Sequence, residues 1–192
     1  MSQETEALDK LLKQEEDALL KGWMGEAGSR NATQEEVNSL FHAFRSALAA
    51  GANPDDFDAP AWRPLRDALS QLSRSRAAQG QTAGDTSVFV LAFKRPIFSA
   101  LQRRLEAEPK LLVSTLWMLS VLVDKMAQAT VNTYQESREE IIWRQQEELL
   151  ELSTPVIKLW EGVLAVPMIG TLDSSRTQIV METLLQDRKS VV

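Results

Sequence analysis

Apolar residues recur at intervals of three and four over most of the chain, the signature of amphipathic helices that each bury one face. Leu8, Leu11, Leu12, Leu19 and Leu20 form a first stripe with Glu and Lys between them, closing in the Gly22 to Gly28 region. Thr33-Gln-Glu-Glu36 has the spacing of a capping box, in which the Thr33 hydroxyl serves the Glu36 amide and the Glu36 carboxylate reaches back. It opens a helix with Val37, Leu40, Phe41, Phe44 and Leu48 on one face, stopping near Gly51. Asn53-Pro-Asp-Asp is a turn. Pro60 and Pro64 stand where proline suits a helix start, ahead of Trp62, Leu65, Leu69 and Leu72.

Residues 73–84 are small and polar and predict a frayed helix end and a loop. Asp85 or Thr86 is expected to cap a helix through Phe89, Val90 and Phe93, which Pro96 should kink or break for want of an amide. Ile97, Leu101 and Leu105 carry the apolar face on to Pro109. From Lys110 to about Glu151 there is neither proline nor glycine, enough for one helix roughly 60 Å long. Its first part, Leu111 to Val123, is apolar nearly all round, as expected inside a bundle. Its second part is polar and needs a partner, most simply the same helix of a second chain. The expected seam of that homodimer is Met126, Thr130, Tyr134, Ser137, Ile141 and Trp143, on a weak heptad pattern.

After Ser153-Thr-Pro155 the pattern changes. Val156, Ile157, Leu159 and Trp160 make one short apolar run, and Gly162 to Gly170 a second, rich in branched residues. Thr171-Leu-Asp173 predicts a turn and Ser174 or Ser175 a helix start. Two strands and a helix are too little for an independent sheet, so this part is expected to be the beginning of a truncated α/β domain. The predicted fold is therefore mainly α. A helical bundle spans residues 1–110, a long helix over 111–152 completes it and links onward, and 153–192 start the α/β domain.

Composition narrows the chemistry. The 192 residues are 44% hydrophobic and 25% charged, with a net charge of −6, which gives no attraction to nucleic acid or anionic lipid. There is no cysteine and one histidine, so thiolate metal sites, cysteine nucleophiles and multi-histidine metal sites are excluded. No enzyme activity, metal or cofactor is expected. The Met1-Ser-Gln-Glu-Thr-Glu start is acidic where a signal peptide would be basic. The run from Leu111 to Val123 is about two-thirds of a membrane span, so a soluble, cytoplasmic chain is expected. His42 reads as a partly buried structural histidine rather than a haem or phosphotransfer site. Phe41, Phe44, Trp62, Phe89, Phe93 and Trp117 form a candidate pocket for a small apolar signal, although any bundle core has the same makeup. Glu139-Glu140 and Glu147-Glu148 read as a solvated helix face.

The run from Arg144 to Thr177, with Glu-Leu-Ser-Thr-Pro-Val-Ile-Lys-Leu-Trp-Glu-Gly-Val at 151–163 and Pro-Met-Ile-Gly-Thr-Leu-Asp at 167–173, resembles the junction of RsbR-type proteins. The likeness covers roughly residues 138–187; the helical part before it resembles the RsbRD type of N-terminal domain in helix layout. The resemblance implies a bacterial stress-signalling protein of the stressosome, whose helical input domain passes a signal through paired linker helices to a STAS domain. It implies an RsbS-like scaffold and an RsbT-like serine/threonine kinase as partners. It also implies a phosphoacceptor just after the Gly-Thr-Leu-Asp motif, where Ser174 stands in place of the common threonine. A second family acceptor would fall beyond Val192. The rival expectation is a helical dimeric adaptor or small-ligand sensor unconnected to a stressosome.

Overall fold

A computed structural model describes residues 2–29, 31–152, 157–160, 163–165, 177–178 and 181. Among the described residues, the helices of residues 2–152 are α1 (Gln3–Gln14), α2 (Glu16–Met24), α3 (Gln34–Ala49), α4 (Arg63–Ala78), α5 (Ala83–Ala92), α6 (Lys94–Arg104) and α7 (Pro109–Leu152). Short 3-10 turns at Ala27–Ser29 and Pro60–Trp62 precede α3 and α4. The protein is mainly α, a helical bundle with a long C-terminal helix. It divides into two compact units, Met1–Ser137 and Arg138–Val192.

In the first unit each helix starts and stops for a local reason. The leucine stripe of the N-terminus is two helices, because Glu15 leaves helical geometry at φ −117°, ψ 22°. The capping box at Thr33 and Glu36 forms as the sequence predicts, with Glu36 N–H donating to Thr33 Oγ1 (3.1 Å) and Thr33 N–H to Glu36 Oε2 (2.8 Å). α5 is capped three residues earlier than expected. Thr82, not Asp85 or Thr86, is the N-cap, and Asp85 completes a second box by accepting from the Thr82 amide at 2.9 Å. Hydrogen bonds from the Thr82 hydroxyl, then from its amide, hold the Asp85 carboxyl below its ordinary pKa. Pro96 does interrupt the helix: α5 ends at Ala92 and α6 begins at Lys94, so the carbonyl that a residue-96 amide would have served is released at the break.

The core of this unit is built from the predicted stripes, including Leu8, Leu11, Leu12, Val37, Phe41, Phe44, Leu65, Leu69, Ile97 and Leu101, all fully buried. α7 contributes Leu119, Leu122, Val123 and Met126 from one face. Polar contacts pin that helix to its neighbours. Ser73 Oγ donates to the Thr130 carbonyl at 2.7 Å, Lys94 Nζ to Asp124 at 2.7 Å, and Lys125 Nζ to the Asp55 carbonyl at 2.8 Å.

Two expectations for this unit are corrected. Residues 73–78 are not a frayed end: α4 runs to Ala78, with Ser73 and Arg76 buried. The run from Leu111 to Val123 is not enclosed on all sides, since Val113 and Trp117 are 66% and 74% exposed. Among the described residues, Pro109–Glu147 is long and apolar enough to cross a membrane by length and composition alone. One side of it is held against α4, α6 and the Asn53–Asp55 turn by side-chain hydrogen bonds.

In the second unit, the strands β1 (Ile157–Trp160) and β2 (Val163–Ala165) pair antiparallel, with Ile157 opposite Ala165 and the register shifting between Lys158 and Trp160. Ser174 and the Thr171-Leu-Asp173 turn lie outside the described residues.

Candidate functional site

Five of the six residues expected to form an apolar pocket meet in the bundle, and they fill it themselves. Phe41, Phe44, Trp62, Phe89 and Phe93 are fully buried. Phe93 packs edge-on to Phe41 and Phe44, at 6.1 and 5.4 Å between ring centroids, and Phe44 continues to Trp62 at 6.2 Å. Trp23 closes the column by stacking on Phe89 at 4.9 Å and meeting Phe93 at 4.4 Å. Both indoles have partners: Trp23 Nε1 donates to the Phe89 carbonyl and Trp62 Nε1 to that of Asn53. Trp117 is not part of this cluster and faces outward. A surface cleft of about 440 Å³ lies elsewhere, between Ser2, Thr5, the Gly51–Asp55 turn, Ser114 and Met118.

The most highly constructed polar site was missed by sequence reasoning. Arg76 is 1% exposed and clamps Glu36 through two parallel bonds, Nε to Oε1 at 3.0 Å and a terminal nitrogen to Oε2 at 2.9 Å. Its guanidinium carbon lies 4.1 Å from the centre of the Phe89 ring. A third contact, 3.4 Å long, reaches Gln81 in the loop between α4 and α5. Burial alone would raise the Glu36 pKa. The Arg76 bond, the Thr33 amide and the Arg76 charge outweigh it, and the carboxyl sits below its ordinary value. One carboxylate therefore ties the start of α3 to the end of α4. A signal for Arg76 was present: it is the next position of the Leu65, Leu69, Leu72 stripe.

The expected dimer seam is divided by the structure. Met126 and Thr130 are fully buried within the bundle, so they are not available to a second chain. Their face of α7 is already used, with the Thr130 hydroxyl bonded to the Ala127 carbonyl. Tyr134 and Ser137 are half-buried, and the Ser137 hydroxyl turns back to the Thr133 carbonyl at 2.8 Å. In the second unit Ile141 and Trp143 are exposed. His42, expected to be partly buried, has 48% of its side chain exposed and stands 3.7 Å from the Glu16 carboxylate. Among the described residues no group of three or more His, Asp or Glu is placed to hold a metal.

Comparison with known proteins accounts for this architecture. Residues 15–149 match the family described as the RsbT co-antagonist protein rsbRD N-terminal domain, more than two-thirds of the chain. The chain belongs to this family. The RsbRD N-terminal domain thus begins at Glu15, the residue that separates α1 from α2, and runs almost to the end of α7. α7 is therefore part of the family unit as well as the element that leaves it. A relative, the RsbT co-antagonist protein RsbRA of Bacillus subtilis (strain 168), is 31% identical over 70 residues. That match covers 36% of this chain and 26% of the relative, so the chain spans about a quarter of its length. No solved structure matches.

Proposed function

We propose that this RsbRD-type domain is the non-enzymatic input module of a cytoplasmic stressosome component, with α7 as its output element. The carrying observation is that the family match ends at residue 149, inside a helix that continues to Leu152 without a break. A rearrangement that moved α7 within the bundle would be transmitted along it, because a helix is stiff in its own direction. The division behind this is residues 1–110 as helical domain, 111–152 as the helix that completes it and links onward, and 153–192 as the start of a STAS domain.

In this scheme the exposed part of α7, with Ile141 and Trp143, pairs with the same helix of a second chain. The STAS domain joins an RsbS-like scaffold and holds an RsbT-like kinase, and Ser174 is a phosphoacceptor. A hydroxyl at a helix start suits a phosphate, which the free amides and the helix dipole there stabilise. The experiment is reconstitution of a version carrying the whole STAS domain with the cognate scaffold and kinase. Large co-assemblies and phosphate mapped to Ser174 are expected. Undiminished phosphate incorporation in a Ser174→Ala protein whose later acceptor is also removed would sink the phosphoacceptor assignment, and failure to co-assemble would sink the stressosome role.

A further inference from the structure

The chain has no cysteine, so its methionine thioethers are the sulfur groups a peroxide can oxidise. The methionines among the described residues differ in setting. Met126 is fully buried, Met24 is half-buried against the apolar core, and Met181 is 53% exposed. Met118 is also half-buried, but it forms part of the wall of the cleft of about 440 Å³, where α7 meets the first turn of α1. There the Thr5 hydroxyl donates to its sulfur, with Oγ1 3.9 Å from Sδ, and the Ser2 hydroxyl lies 3.0 Å from that oxygen. Ser114, one turn earlier on α7, lines the same cleft.

A thioether is a weak hydrogen-bond acceptor, whereas a sulfoxide is polar. In a dry core the new oxygen is left without a donor, and in open water it is simply hydrated. At Met118 a buried donor already stands in place, for Thr5 is 2% exposed. An oxygen added to Sδ slightly off the line to Oγ1 comes within about 2.7 Å of that hydroxyl, the length of an ordinary O–H···O bond. A weak sulfur contact between α1 and α7 thereby becomes a strong oxygen one.

We propose that Met118 is an oxidation site for small hydroperoxides, with Thr5 as the donor that holds the sulfoxide and tightens α1 on α7. A sulfur lone pair attacks the terminal oxygen of the hydroperoxide, the O–O bond breaks, and the proton on the transferred oxygen passes to the departing one. Sulfur is oxidised by two electrons, and the hydroperoxide is reduced to an alcohol, or to water where it is hydrogen peroxide. The Ser2 and Ser114 hydroxyls in the cleft are donors for the departing oxygen. That the change reaches an output rests on the role proposed above for α7; the oxidation and its effect on α1 do not.

The test treats the full chain with tert-butyl hydroperoxide and maps the products by peptide mass spectrometry. Conversion is expected at Met118 and Met181, with Met126 spared. In the oxidised protein the Thr5 and Glu6 amides, which bond to Ser2, should exchange about fivefold more slowly, the factor one added hydrogen bond gives. Thr5→Val removes the donor, and its oxidised form should show no slowing. Thr5→Ser keeps the donor and should behave as the parent. If valine unfolds the domain, Met118→Leu takes its place, and the peroxide should then leave exchange in α1 unchanged. Met118 unmodified once Met181 is fully converted would overturn the proposal. So would exchange in α1 that is unchanged or faster in the oxidised parent, or slowed equally in Thr5→Val or Met118→Leu. Co-assembly with scaffold and kinase is read separately, so the stressosome role and this site fail independently.

Discussion

Arg76 keeps its charge in a place that excludes water because three groups share the cost of putting it there. The Glu36 carboxylate supplies the opposite charge, the Phe89 ring supplies a face of negative electrostatic character, and Gln81 takes another donor. Removing the arginine would leave Glu36 half-buried without its counter-charge. Arg76→Ala is therefore expected to cost about 3 kcal/mol, read as a lower urea midpoint with an unchanged slope. The pH dependence follows from the same pair. The folded pKa of Glu36 lies below its unfolded value, so its stabilisation is fully present above the ordinary carboxylate range and is lost as pH falls through the folded value. The thermal midpoint should accordingly hold from neutrality down to about pH 5 and drop below it. Glu36→Gln should melt lower at neutral pH and show a shallower acid decline. Gly28 is a second residue under close constraint, for a Cβ there would lie 2.9 Å from the Val88 carbonyl oxygen. Gly28→Ala should destabilise by roughly 1–3 kcal/mol in thermal denaturation, because that oxygen belongs to the backbone of α5 and cannot step aside.

Between residue and bundle stand the helix boundaries. Thr33 and Thr82 each begin a helix with a reciprocal box, and the difference in how legible they were is instructive. Thr33 is followed by glutamate at the third position and then by an apolar stripe, so the motif is visible in the sequence. Thr82 sits in Gln-Gly-Gln-Thr-Ala-Gly, where glycines on both sides disguise the start and the hydroxyls downstream compete for the role. Thr82→Ala should cost about 1 kcal/mol, seen as a lower melting temperature together with faster amide exchange at the start of α5. The Glu15 break was hidden for another reason. Nothing in the composition of that segment stops a helix; the turn at Glu15 lets α1 and α2 each pack on both α3 and α6, which only the tertiary structure shows. α7 shows the same limit. Its continuity was legible from the absence of proline and glycine, whereas its rotation about its own axis was not.

For the whole molecule, that rotation decides the surface. A stretch apolar nearly all round has no preferred inward face in the sequence; the contacts of Ser73, Lys94 and Lys125 choose one. They turn Met126 and Thr130 in and leave Val113 and Trp117 out. The first two positions that a weak heptad selects, Met126 and Thr130, therefore lie inside the bundle. Sequence by itself determined the helical class, most of the stripes that became the core, the effect of Pro96, the continuity of the long helix and the family, since all of these follow from local spacing or from matched residues. Only the tertiary structure decided that the aromatic residues fill their own pocket, that Arg76 is drawn inside by a carboxylate forty positions away, and which side of α7 faces water. Those depend on which distant groups meet, and spacing along a chain carries no record of that.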